Sequence, residues 1–157
     1  MTITVRAGRP EDAKAAIHTL RRSISELCNA DHGNNPAALE KWIANKTETS
    51  WHGWLERTDR LVLVAEQNGL ILGVGMMSTT GEVMLNYVDP DARFGGISKS
   101  LLAHMERCAI ERGLSHCVLE STKTALNFYL ARGYTSVPGQ NSALRVEKRL
   151  GEQAILN

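Results

Sequence analysis

The chain has 157 residues, 43% of them apolar and 22% charged, which suits a globular protein with one sizeable core. Its 18 lysines and arginines nearly cancel 17 aspartates and glutamates, for a net charge of +1. That balance excludes a global field drawing in nucleic acid or a membrane surface and leaves only a local patch. No apolar run is long enough to span a bilayer. The opening stretch, MTITVRAGRPEDA, lacks the basic-then-apolar order of a secretory signal. Cys28, Cys108 and Cys117 are too scattered for a disulfide framework, and none lies in CxxC spacing. Buried reduced thiols in a cytoplasmic protein are expected.

In chain order, TITVRA alternates apolar with polar or small residues and reads as a first strand. A helix opens at Pro10, which suits the first helical position, with Glu11 and Asp12 favouring the positive end of its dipole. Ala13, Ile17, Leu20, Ile24, Leu27 and Cys28 recur at threes and fours on one face. NADHGNN, residues 29–35, is a loop by composition. A second helical region begins at Pro36 with Leu39, Trp42 and Ile43 on a face, and a third short piece surrounds Trp51, Trp54 and Leu55.

The period then changes. LVLVAEQ (61–67), LILGVGMMS (70–78) and EVMLNYV (82–88) read as strands, the first pair joined by Asn68-Gly69, a strong hairpin signal. Their largely apolar composition predicts cover on both faces. Ile97, Leu101, Met105, Cys108 and Ala109 mark a further helix starting near Ser98 and ended by Gly113. HCVLE (116–120) is a buried strand, KTALNFYLAR a short helix, and SALRVEKRL an outer strand with Leu144, Val146 and Leu150 on one face. One more short strand near Tyr134 is left open. The expected architecture is α/β: a mixed sheet flanked by helices in one domain, residues 1–157, with the strands on either side of residues 97–113 parallel and crossing over right-handed. The final GEQAILN either docks or frays.

Gly95 and Gly96 stand between a strand and a helix. A helix N-terminus offers unpaired N–H groups and a positive dipole end, and glycine lets backbone come close to a ligand. Together they make a seat for phosphate or pyrophosphate, with Arg93 and Lys99 adding charge. From the glycines alone, a tight turn and an anion seat are equally open. The stretch is neither a P-loop nor GxGxxG, which disfavours a classical ATP or NAD site. HExxH, paired cysteines, clustered acidic loops and GxSxG are all missing, so neither a metal site nor serine hydrolysis is indicated.

RFGGIS, residues 93–98, resembles the [RQ]-x-x-G-x-[GA] acyl-CoA-binding loop of the GCN5-related N-acetyltransferases. Arg93 and Gly96 fall on its two most characteristic positions. YVDPDA before it looks like the family's lead-in, and NFYLARGY (127–134) looks like its FYxxxGF segment. The element order matches that fold over nearly the whole chain. Three positions depart from the pattern. Ser98 replaces a glycine or alanine, Gly95 stands where relatives often place a basic residue, and Thr124 stands where an asparagine often contacts pantetheine, with Asn127 as its substitute.

The resemblance implies an acyl-CoA N-acyltransferase fold and direct transfer from acetyl-CoA to an amine of a small molecule or a protein. It implies cofactor contacts at Tyr87, Val88, Arg93, Phe94, Gly95, Gly96, Ile97, Ser98, Lys99, Thr124 and Asn127. Tyr129 is the candidate general acid, against the alternative of a wall tyrosine with a satisfied hydroxyl. The oxyanion donor is a backbone N–H near Tyr87 or Val88, where in relatives the strand bulges and splays from its neighbour. Glu82 is the candidate base, against a solvated turn-end glutamate. Glu120 is second, and His116 and His104 are weaker. Trp42, Trp51 and Trp54 pack the core or wall the acceptor site, and Asp31 and His32 are placed to meet a cationic acceptor. Dimerisation is common in this fold, with SALRVEKRL as a candidate edge. Two rivals stand beside the enzyme: a non-catalytic acyl-CoA sensor, and an interaction module whose loop holds nothing.

Overall fold

A computed structural model describes residues 2–151; Met1 and residues 152–157, most of the GEQAILN end, lie outside the described residues. Strand β1 is Thr4–Ala7. A 3-10 turn at Pro10–Asp12 leads into α1, Ala13–Leu27, which is followed by α2 (Asn29–His32), α3 (Pro36–Ile43) and α4 (Glu48–Glu56). Asn35 caps α3 by accepting from the amides of Ala37 and Ala38, and Thr47 caps α4 by accepting from that of Ser50. The meander follows as β2 (Arg60–Gln67), β3 (Leu70–Ser78) and β4 (Val83–Val88). Asn68 and Gly69 both take left-handed φ values, 55° and 78°, as a type I′ hairpin turn requires. Then come α5 (Ile97–Glu111), β5 (His116–Glu120), α6 (Leu126–Ala131), the short β6 (Thr135–Ser136) and β7 (Arg145–Arg149).

The mixed sheet is built as two antiparallel halves, β1-β2-β3-β4 and β5-β7-β6. They meet in parallel at one bridge, Glu82 with Val118. Alternation along β2 serves both faces of the larger half. Val62 and Val64 join α1 and Trp51 in one core cluster, and Leu63 and Ala65 join α5 in the other. On the α5 side, a Cβ on Gly73 would fall 2.5 Å from Ile97 Cγ2. Bare backbone at Gly73 therefore lets the first turn of α5 lie directly on β3. Trp51 is fully buried and its indole N–H donates to Arg9 O at 2.9 Å, so it is a core tryptophan.

Two expectations are corrected. Arg145–Arg149 is not an outer strand: β7 lies between β5 and β6, paired on both sides. It is not available as the pairing edge of a dimer. NADHGNN is not all loop either. Its first half forms the single turn α2, ended at Gly33 in the left-handed region, and is held by side-chain bonds described below.

The turn into α1 rests on one ion pair. Arg6 grips Asp12 through two bonds of 2.8 and 3.0 Å, and Asp12 also accepts from the Arg9 N–H at 2.8 Å. The Arg6 guanidinium holds the Asp12 carboxyl below its ordinary range. A carboxylate whose folded pKa is depressed adds stability above its unfolded pKa of about 4 and loses it as pH falls through the folded value. Asp12→Asn should thus cost about 1–3 kcal/mol at pH 7. Urea melts should show that deficit shrinking as pH falls below about 4.

Candidate active site

Strand β4 makes the site possible by being irregular. Its register with β3 jumps from Met76↔Leu85 to Met77↔Val83, so Met84 is an extra residue, a β-bulge that bends the strand. Beyond the Glu82–Val118 bridge, where the Val118 N–H donates to Gly81 O at 3.0 Å, β4 and β5 part. The gap between them opens into a cavity of about 630 Å³, walled by both strands, the end of α1, the β4–α5 loop and α6.

Backbone polarity along that gap follows from the ladder. The Asp89 N–H donates to Leu72 O at 2.8 Å, and the register pairs Tyr87 with Val74 and Val88 with Gly73. Antiparallel bonds engage alternate residues. The amides of Leu85 and Tyr87 therefore point at β3, while those of Asn86 and Val88 point into the gap. Of the two amides suggested by sequence, Val88 is the one that faces the cavity.

The glycine loop is anchored from α1. Asp89 accepts from the Asp91 N–H at 2.8 Å, and the Arg22 guanidinium reaches Asp89 at 3.4 Å. Gly96 then sits at the N-cap of α5 with φ of 86° and supplies no side-chain cap. The first N–H groups of α5 are thus left for a partner from outside the helix. Arg93, Gly96, Ile97, Ser98 and Lys99 all line the cavity at this end.

Tyr129 closes the opposite wall. It is buried, with its ring edge-on to Phe128 (5.1 Å between centroids) and Tyr134 (5.6 Å). Burial pushes its phenol up to about 12, and neighbouring Asn86 offsets part of the rise. Asn86 donates weakly to Ser98 O at 3.4 Å, yet its Oδ1 is buried on the cavity wall without a hydrogen-bond partner. A buried acceptor left unpaired is costly. The cavity therefore has an anion seat at one end, and a protonated phenol and inward backbone amides further in.

The model of the acetyltransferase (GNAT) domain matches residues 28–144, more than half of the chain. The chain belongs to the GNAT acetyltransferase family. It is 30% identical over 135 residues to the peptidyl-lysine N-acetyltransferase YjaB of Salmonella typhimurium, covering 85% of this chain and 84% of that protein. Two solved structures share the fold at lower identity. A GCN5-related N-acetyltransferase from Rhodopseudomonas palustris matches with a TM-score of 0.82 and 24% identity, over 96% of this chain and 97% of the other. The PaiA N-acetyltransferase of Thermoplasma acidophilum, solved with coenzyme A, matches with a TM-score of 0.80 and 21% identity, over 95% and 99%.

Within this GNAT site the structure separates the residues singled out by sequence. Tyr87, Val88, Arg93, Phe94, Gly96, Ile97, Ser98, Lys99, Thr124 and Tyr129 line one cavity; Gly95, Asn127 and Glu82 do not. Asn127 is exposed on α6 and does not replace the missing asparagine. Gly95 turns inward on its own loop, its N–H donating to Ala92 O at 3.3 Å. Glu82 sits at the closed apex, outside the lining, where Arg145 donates to it at 3.1 Å. Ser98 does not cap α5, because the cap position falls on Gly96.

Thr124 reaches the cavity, but its hydroxyl and amide donate to Asp31 at 2.9 and 3.3 Å, and the Lys123 amide does so at 2.7 Å. Asp31 is therefore a clasp joining α2 to the β5–α6 loop, not a free anion for an acceptor. His32 is structural too. Its Nδ1 accepts from the Asn34 N–H at 3.1 Å, so Nε2 carries the proton and donates to Ile24 O at 3.0 Å. Sequence reasoning missed Asn86, although one amide side chain within the apolar run VMLNYV was a signal. It also missed Arg132, whose Nε is buried without a partner and whose guanidinium lies 4.9 Å over the Phe128 ring.

Proposed function

We propose that this chain transfers an acetyl group from acetyl-CoA to a primary amine by direct attack in a ternary complex. The observation carrying the reading is the placement of Tyr129, Asn86 and the inward Val88 amide on one cavity that ends at the uncapped N-terminus of α5. The donors present fit the cofactor. The first amides of α5 with Arg93 and Lys99 suit its pyrophosphate, and the backbone N–H of Asn86, which faces the gap, suits a carbonyl of its pantetheine arm. Bound acetyl-CoA supplies the activated thioester.

The chain's own groups then have distinct tasks. The Val88 N–H stabilises the negative charge that develops on the carbonyl oxygen. Tyr129, held protonated, gives its proton to the departing thiolate. Among the described residues Glu120 is the one carboxylate on the cavity wall, and it takes the proton that the amine must lose, through water. Glu120→Gln should lower kcat about 10- to 100-fold at neutral pH, within the range of a general base, with little change in the Km for acetyl-CoA. Steady-state rates at saturating amine read both values.

Peptidyl lysine is the acceptor class we favour, supported by the 30% identical relative that bears that name. The same proposal places the chain in the cytoplasm as one domain, in keeping with three free cysteines, two of them buried. Mass spectrometry of lysine peptides and small amines incubated with acetyl-CoA tests the acceptor. Acetylation of the peptides at lysine is expected, and transfer only to small amines would contradict it.

A further inference from the structure

Phe94 is held in two unfavourable ways at once. It is 90% exposed, the most exposed large apolar side chain described. Its backbone lies at φ 67°, a region that bulky residues avoid. Packing does not compensate: the ring contact it makes is with the Arg93 guanidinium, 4.6 Å from its centroid. The residue nevertheless lines the cavity, two positions before Gly96, so it stands at the rim beside the anion seat. With Arg93 over one face, the other face of the ring is open to solvent.

We propose that the exposed Phe94 ring at the rim of the glycine loop is a stacking platform for the adenine of the acyl-CoA nucleotide. This rests on the acetyl-CoA reading above. The ribose and adenine are joined to the pyrophosphate, so a nucleotide seated on the α5 N-terminus would have its adenosine near the rim where Phe94 stands. Base–aromatic stacking needs only two π-faces, and a neighbouring arginine adds to it. The other aromatic rings on the lining are less free. Tyr87 and Tyr129 lie deeper, and Phe128 already carries Arg132 over a face and packs near-perpendicular to Tyr129.

The test is calorimetric titration of wild type, Phe94→Ala and Phe94→Gly with CoA and with 4′-phosphopantetheine, which lacks the 3′-phosphoadenosine and keeps a single phosphate of the pyrophosphate. Phe94→Ala should weaken CoA binding about tenfold, at the low end of alanine-scan values for a stacked base. It should leave the affinity for phosphopantetheine unchanged. Phe94→Gly should show the same selective loss with an equal or higher Tm, since glycine accepts the left-handed φ freely. That variant separates a ligand role from a folding defect. Unchanged CoA affinity in Phe94→Ala, or equal weakening of both ligands, would overturn the platform alone. Failure of the wild type to bind CoA would overturn the acyl-CoA reading and this inference with it.

Discussion

Gly96→Glu is expected to abolish acetyl-CoA binding, raising Kd by more than about 100-fold, or roughly 3 kcal/mol. Two effects add. Gly96 holds φ of 86°, and a side chain there costs about 1–2 kcal/mol of backbone strain. The glutamate also sets a negative charge where the α5 dipole and the nearby Arg93 and Lys99 favour a phosphate. Two like charges 4 Å apart near a protein surface repel by about 4 kcal/mol. Gly96→Ala separates the effects. A Cβ at this site meets only Ile3 Cδ1, at 3.9 Å, so alanine brings strain without a clash or a charge. It should lower stability by about 1 kcal/mol and weaken the cofactor far less than glutamate does. Calorimetric titration of both variants checks this.

Tyr129→Phe is expected to lower kcat by about 100- to 1000-fold, the usual yield of a positioned acid, while Kd for acetyl-CoA stays within about twofold. The phenol is buried and carries no stacking or packing role that phenylalanine cannot fill. The pH profile provides a second readout. Burial disfavours the phenolate and pushes Tyr129 up to about 12, so its proton remains in place through pH 10. Over pH 8–10 the wild-type rate should therefore show no falling limb, while deprotonation of a lysine-like amine with pKa about 10 raises it. A falling limb with a midpoint near 10 that disappears in Tyr129→Phe would contradict the buried-acid assignment.

Local chemistry made much of the fold legible. The short, largely apolar run of residues 61–67 and the Asn68-Gly69 turn are short-range signals, and β2 and the hairpin formed where they pointed. The turn into α5 was readable because it lies in backbone geometry, the left-handed φ of Gly96, which glycine reports directly. What sequence left obscure depends on distant partners. Arg145, Glu147 and Arg149 fall on the face opposite Leu144, Val146 and Leu150 in an edge strand and in a middle strand alike. Only the two-residue β6, whose Ser136 pairs with Val146, makes β7 internal. The α2 turn in NADHGNN is tied by Asp31 to amides at positions 123 and 124. Glu82 lies beside the splay point in sequence, but its carboxylate pairs with Arg145, far along the chain, and does not line the cavity. Asn86 was hidden among apolar neighbours because a buried unpaired acceptor is recognised only once its surroundings are known.

Thiol release tests the central claim most directly: purified wild type with acetyl-CoA and a lysine peptide, followed through the free CoA that forms, beside Tyr129→Phe. The account predicts release that depends on the peptide and falls at least 100-fold in the variant. Tight acetyl-CoA binding with no peptide- or amine-dependent release in the wild type would contradict catalysis and identify a sensor built on the same cavity.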